Sequence, residues 1–287
     1  MFRKRFSVLT AGLALAGMTF MTEAPASAVL FHDDFSGYDL YDPDPEVLGP
    51  SFTEQSDWGS ISNKESGVHA NPHPQGAFTG NVLGGRPGTN DNQVHLFKGV
   101  DWDLAGDETL IVEFMQYTPW NLPFQVKLSW GADFISATGS GGDNNDGAFW
   151  RLRTFNMPDR NTTSESHRIS TGEWVQARWV VDLAANDFVG AQSLYYRTDP
   201  DGLFDDSVDW IAADDLQNIS LRVDELLAEG NTAQDRQAHM ASLNGMRLRT
   251  DTHQNVYLGE LTVIPEPTSA GLVLLGGLAM MLRRRRA

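Results

Sequence analysis

Hydrophobic and polar residues alternate at period two along much of this 287-residue chain. Residues 124–130 (FQVKLSW) show it most cleanly. Phe124, Val126, Leu128 and Trp130 share one face, and Gln125, Lys127 and Ser129 take the other. Residues 173–183 (EWVQARWVVDL) repeat the pattern, with Val175, Ala177, Trp179 and Val181 inward and Trp174, Gln176 and Arg178 outward. Residues 108–117 (ETLIVEFMQY) are rich in β-formers, and 148–155, 192–198, 244–250 and 255–264 read as further strands. Turn-rich stretches at 139–147 and 199–202 separate them. The first eighty residues after position 28 are rich in Pro, Gly, Asn and Asp and promise short strands at best. A helical turn over 223–229, stopped by Gly230, and a short helix over 232–243, capped by Asn231 or Thr232, read as one insertion at a sheet edge. Many strands without alternating helices predict an all-β fold, an antiparallel jelly-roll sandwich rather than a parallel sheet. One internal echo stands out: Arg151-Leu152-Arg153-Thr154 against Arg247-Leu248-Arg249-Thr250, too short to mean duplication.

The two ends depart from this rhythm. Arg3, Lys4 and Arg5 precede a largely apolar run over 6–21, and Ala26-Ser27-Ala28 fits the small-residue rule for signal peptidase. Residues 1–28 read as a signal peptide, with an uncleaved N-terminal anchor as the competing reading. At the other end stand Pro265-Glu266-Pro267, an uncharged stretch over 268–282 and Arg283-Arg284-Arg285-Arg286. A membrane-crossing helix needs roughly 20 residues, so this segment makes a short hydrophobic helix whose arginines stay in the cytoplasm. The three-part tail, 265–287, resembles a PEP-CTERM sorting signal. That resemblance implies processing by an exosortase-type transpeptidase, transient anchoring in the inner membrane, and a cell-surface or extracellular destination in a maker of exopolysaccharide. A permanent C-terminal anchor is the alternative. The working domain is then 29–264.

Composition narrows the partners. The chain has 21 basic and 38 acidic residues; without both ends, 14 and 36 remain, a net charge of -22 over 29–264. Such a surface repels nucleic acid and anionic lipid. There is no cysteine, so thiolate metal sites and cysteine nucleophiles are excluded. The exported body holds together by its core rather than by disulfides.

Three stretches carry a second resemblance: Phe31-His32-Asp33-Asp34-Phe35-Ser36-Gly37, Gly172-Glu173-Trp174-Val175-Gln176-Ala177-Arg178-Trp179, and Val256-Tyr257-Leu258-Gly259-Glu260-Leu261. They resemble strands of concanavalin A-like lectin and glucanase sandwiches. The resemblance implies that the first and last strands pair, tying 30–35 to 256–263.

The enzymes of that class place Glu-x-Asp-x-x-Glu on one strand. No Glu here is followed two positions later by Asp, and Glu113, outward on a central strand, is the lone catalytic candidate for two-carboxylate chemistry. Sugar binding asks for an aromatic face and planar polar groups. Trp174, Gln176 and Arg178 supply these on one strand. Arg151 and Arg153, with Gln125 and Lys127 nearby, would extend the patch if their strands are neighbours. Asp199, Asp201, Asp205 and Asp206 cluster at a tight turn as candidate ligands for a structural calcium, although any hairpin turn prefers the same residues. His69 and His73 straddle Pro72 and read as a polar loop. Three functions stay open: a non-catalytic exopolysaccharide-binding surface protein, a glycoside hydrolase or lyase, and a purely structural envelope or biofilm component.

Overall fold

A computed structural model describes residues 29–40, 50–60, 66–85, 94–117, 124–130, 133–141, 148–155, 162–169, 172–205, 207–250 and 257–266. The expected signal peptide, Asp206, Pro267 and the apolar tail lie outside this set. Among the described residues no helix is long and apolar enough to cross a membrane.

In chain order the strands are β1 (Phe31–Asp33), β2 (Gly59–Ser60), β3 (Ser66–Ala70), β4 (Asn81–Gly85), β5 (Val94–Gly99), β6 (Thr109–Tyr117), β7 (Phe124–Trp130) and β8 (Asp133–Gly141). They continue as β9 (Ala148–Phe155), β10 (Thr162–Ile169), β11 (Trp174–Asp182), β12 (Ala191–Thr198), β13 (Ile211–Ala212), β14 (Ile219–Ser220), β15 (Gly245–Thr250) and β16 (Tyr257–Glu266). Short helices are α1 (Phe52–Gln55), α2 (Ala185–Phe188), α3 (Val223–Leu226) and α4 (Ala233–Ala241).

The strands form two antiparallel sheets. One runs β13-β12-β11-β6-β16-β4-β3, with β1 also on β16 and β14 on β12; the other runs β10-β9-β8-β7-β15-β5-β2. The all-β antiparallel sandwich expected from the alternation is the fold. The first and last strands pair as well, Phe31 opposite Val263 and Asp33 opposite Leu261.

Period-two patterning explains the core. The nine-stranded sheet turns Leu110, Val112, Phe114, Val175, Ala177, Trp179, Val181, Leu261 and Val263 inward, all buried. The seven-stranded sheet answers with Leu96, Val126, Leu128, Ile135, Ala137, Trp150, Leu152 and Leu248. Phe114 meets Trp150 between the layers, ring centres 5.6 Å apart. Burying aromatic and branched side chains from both faces is what a chain without disulfides relies on.

The helical insertion is present but shorter than its sequence signal. Thr232 caps α4: its hydroxyl accepts from the Asp235 amide at 3.2 Å, and the Asp235 carboxylate accepts from the Thr232 amide at 2.8 Å. Val223, Met240 and Leu243 are buried in the main core. Two expectations need correction. The stretch from Gly139 to Gly141 is strand rather than loop, the end of β8. And the strand expected over 255–264 is β16 over 257–266, its Pro265 and Glu266 pairing with Leu110 and Thr109 of β6.

Candidate functional site

The outward set of β11 does not form an open sugar platform. Trp174 points away from the main core, as its alternation requires, yet it is wholly buried. It belongs to a second apolar cluster with Val82, Met115, Tyr117 and Phe204 on the outer face of the nine-stranded sheet. Two loops cover that cluster. The indole nitrogen of Trp174 donates to the His73 carbonyl at 2.8 Å, and its backbone amide donates to Gln75 Oε1 at 2.8 Å. His73 stacks on Tyr117 at 4.1 Å; burial pushes the His73 imidazole below its ordinary range and the Tyr117 phenol above its own. The two loops lock through left-handed glycines, Gly76 (φ 52°) and Gly202 (φ 67°). A β-carbon at either would lie within 1.8 Å of the other loop's backbone oxygen.

Arg178 and Gln176 are structural partners on the same face. Arg178 binds Glu113 at 2.6 Å and stacks on Trp210 at 4.0 Å. Arg197 accompanies it, 4.5 Å from the same ring, donating to Gln176 Oε1 at 2.6 Å and to the carbonyls of Phe204, Asp205 and Val208. Glu113 faces outward as expected, but its carboxylate is engaged by a guanidinium. The acidic turn is likewise organised from within. Asp199, 5 % exposed, accepts from the amides of Asp201, Leu203 and Phe204 at 2.8–3.0 Å. Asp205 accepts from Ser207, which holds its carboxyl below the usual range. Among the described residues no group of three or more acidic, His or Cys side chains is arranged to hold a metal.

The other half of the expected patch lies on the other sheet, so the two halves are not neighbours. There it is more concentrated than the sequence suggested. On the face of the seven-stranded sheet away from the main core, the register aligns Arg153–Ser136–Lys127–Arg247–Phe97 across five strands. The adjacent row is Arg151–Thr138–Gln125–Arg249–His95. Neither row contains an acidic residue. The arginines flank the β7–β8 pair symmetrically, because each repeat of the Arg-Leu-Arg-Thr tetrapeptide occupies one flanking strand. Its leucines, Leu152 and Leu248, point into the core and its arginines point away.

The electrostatics are those of crowded like charges. Lys127 is 6 % exposed. Burial first, then Arg249, Arg247 and Arg153, push its ammonium down to about 8. Burial, Arg151 and Arg249 depress Arg153 in the same way. Lys127 Nζ sits 4.3 Å from the centre of the Phe134 ring, and the Arg247 guanidinium lies 5.6 Å from Phe97 and 5.9 Å from Phe134. Arg151, Arg153, Arg247 and Arg249 remain partly exposed, and Phe97 is exposed. Gln125, Ser129 and Ser136 form a buried polar floor. The arrangement can bind a multiply charged anion and offer ring faces beside it. Arg247 and Arg249 were missed as site residues; the tetrapeptide echo was the signal that could have found them.

Solved structures resemble the fold loosely. The globular domain of T. cruzi calreticulin is 10 % identical with a TM-score of 0.47, covering 90 % of this chain and 100 % of that one. A carbohydrate esterase of Shiga toxin-encoding bacteriophage phi24B is 9 % identical (TM-score 0.39, 83 % and 98 % covered). An engineered GH43 glycoside hydrolase with endo-xylanase and exo-arabinofuranosidase activity is 10 % identical (TM-score 0.36, 90 % and 42 % covered). No protein-family model matches the sequence, and no curated protein matches it. The site therefore rests on its own geometry.

Proposed function

We propose that this chain is an exported, non-catalytic carbohydrate-binding protein whose cationic face takes an acidic polysaccharide. One observation carries the reading: Lys127, Arg151, Arg153, Arg247 and Arg249 converge on one face of one sheet in a chain of net charge -17. A polyanion lying across the strands would meet all five cations along two adjacent rows. From Arg153 to Arg247 the row crosses three strand spacings, ~14 Å at the usual interstrand distance, which suits an extended polymer with a charge on successive sugars. Phe97 and Phe134 supply apolar faces for the rings. The strongly negative remainder of the surface disfavours a rigid, densely charged duplex.

The N-terminal signal pattern and the PEP-CTERM-like tail support export, with signal peptidase and an exosortase-type enzyme as processing partners. The hydrolase reading has less support, since the carboxylate of Glu113 is held by Arg178. The test is binding of the purified exported chain to alginate and dextran sulfate against neutral dextran over a salt series. Acidic polymers should bind, with affinity falling as salt rises, and Arg153→Ala and Arg247→Ala should each weaken them. Equal binding of dextran, or binding of no polymer, would overturn the proposal.

A further inference from the structure

The outer face of the nine-stranded sheet carries a second cleft, remote in chemistry from the cationic face. Its floor is one cross-strand row, Glu266–Thr109–Asp182–Ala191, with Val180, Ser193 and Tyr195 in the rows beside it. Asn186 from the β11–β12 turn and Asn218 complete the walls around about 400 Å³, within the range of small-molecule sites.

Two features make this more than a surface dent. The first is a set of polar groups turned to solvent in one cleft, with Asn186, Asn218 and Glu266 exposed and Thr109, Asp182, Ser193 and Tyr195 half-buried. Asp182 spends Oδ1 on the amides of Ala184 and Ala185, and Ser193 accepts from the Asn218 amide at 2.9 Å. Among the described residues, no partner engages the side-chain amides of Asn186 and Asn218, the Tyr195 and Thr109 hydroxyls or the Glu266 carboxylate. The second is backbone conformation. Asn186, Asp187 and Phe188 are three successive left-handed residues (φ 54°, 55° and 64°), so α2 is not a right-handed helical turn; Asn218 (φ 55°) is left-handed too. Left-handed backbone costs ~1 kcal/mol or more per non-glycine residue and concentrates where geometry serves binding. Here it brings both asparagines to the rim.

The chemistry selects a ligand class. Two carboxylates and no cation disfavour an anion. Without His or Cys the lining has no soft metal ligand. Planar amides and carboxylates beside one phenol ring suit vicinal hydroxyls and the apolar face of a pyranose. We propose that this cleft binds a neutral sugar residue, with Tyr195 as platform and Asn186, Asn218 and Asp182, all within the working domain, reading the hydroxyls. It uses different residues on a different sheet from the acidic-polymer site, so either proposal can fail alone.

The experiment titrates the purified exported chain with the methyl glycosides of glucose, galactose, mannose and N-acetylglucosamine, followed by NMR. At least one should give saturable shifts. Tyr195→Ala, and Asn218→Gly, which keeps the left-handed backbone, should each weaken it about tenfold or more, while Arg153→Ala leaves it unchanged. No saturable shift with any glycoside overturns the inference. So does loss of binding in Arg153→Ala with the cleft variants unaffected, or a cleft that responds to calcium ions and to no glycoside.

Discussion

Replacing Lys127 by Met should stabilise the protein and weaken its hold on acidic polymer at the same time. Lys127 ordinarily titrates near 10.5 and here at about 8, because it is buried among Arg249, Arg247 and Arg153. That interval corresponds to ~3 kcal/mol of folding free energy lost while the ammonium is charged. Below about 8 both folded and unfolded chains hold the proton, so the whole penalty is present at neutral pH. Between about 8 and 10.5 the unfolded chain binds the proton and the folded chain does not, so stability rises with pH. Above 10.5 the gain is complete. Met keeps the length and loses the charge, although it also removes the contact with Phe134, worth ~1 kcal/mol. Net stabilisation at neutral pH should then be ~2 kcal/mol by difference. The assay is urea unfolding of both proteins at pH 7 and near pH 10. The tyrosines titrate in both, so the difference between the two isolates Lys127. Wild type should close the gap as pH rises. A gap that is constant with pH, or a variant less stable at pH 7, would refute the account of crowded charge.

The outer face of the nine-stranded sheet yields three further expectations. Trp174→Ala should cost ~3–5 kcal/mol in chemical denaturation and leave affinity for acidic polymer unchanged; a selective loss of binding would restore it as a ligand platform. Gly202→Ala should lower the melting temperature, because its β-carbon would fall 1.7 Å from the Gln75 carbonyl oxygen in a backbone region that costs ~1–3 kcal/mol without glycine. Asp199→Ala should lose ~1–3 kcal/mol as the loop amides lose their acceptor, equally with and without a calcium chelator; a loss seen only when calcium is present would assign the turn to a metal.

Sequence by itself determined the fold class and most of its strands. The reason is local: alternation at period two survives wherever one face of a strand is buried, as in β7 and β11, and Thr232 with Asp235 announces a helix start within four residues. It also determined which side chains oppose the core, so Gln125, Lys127, Arg151, Arg153, Trp174, Gln176 and Arg178 were all assigned to the correct faces. What it could not determine was which of those faces meet. Strand order is set by contacts distant along the chain: Lys127 and Arg247 are adjacent because β7 and β15 pair across more than a hundred residues. For the same reason Trp174, outward by alternation, is covered by loops from residues 71–80 and 199–205, and no pattern within β11 records that cover. Only the tertiary structure brought the two arginine tetrapeptides to either side of Lys127, and only it placed Glu266 at the rim of a cleft with Tyr195 and two asparagines. Periodicity fixes the direction of a side chain; pairing in three dimensions fixes its company.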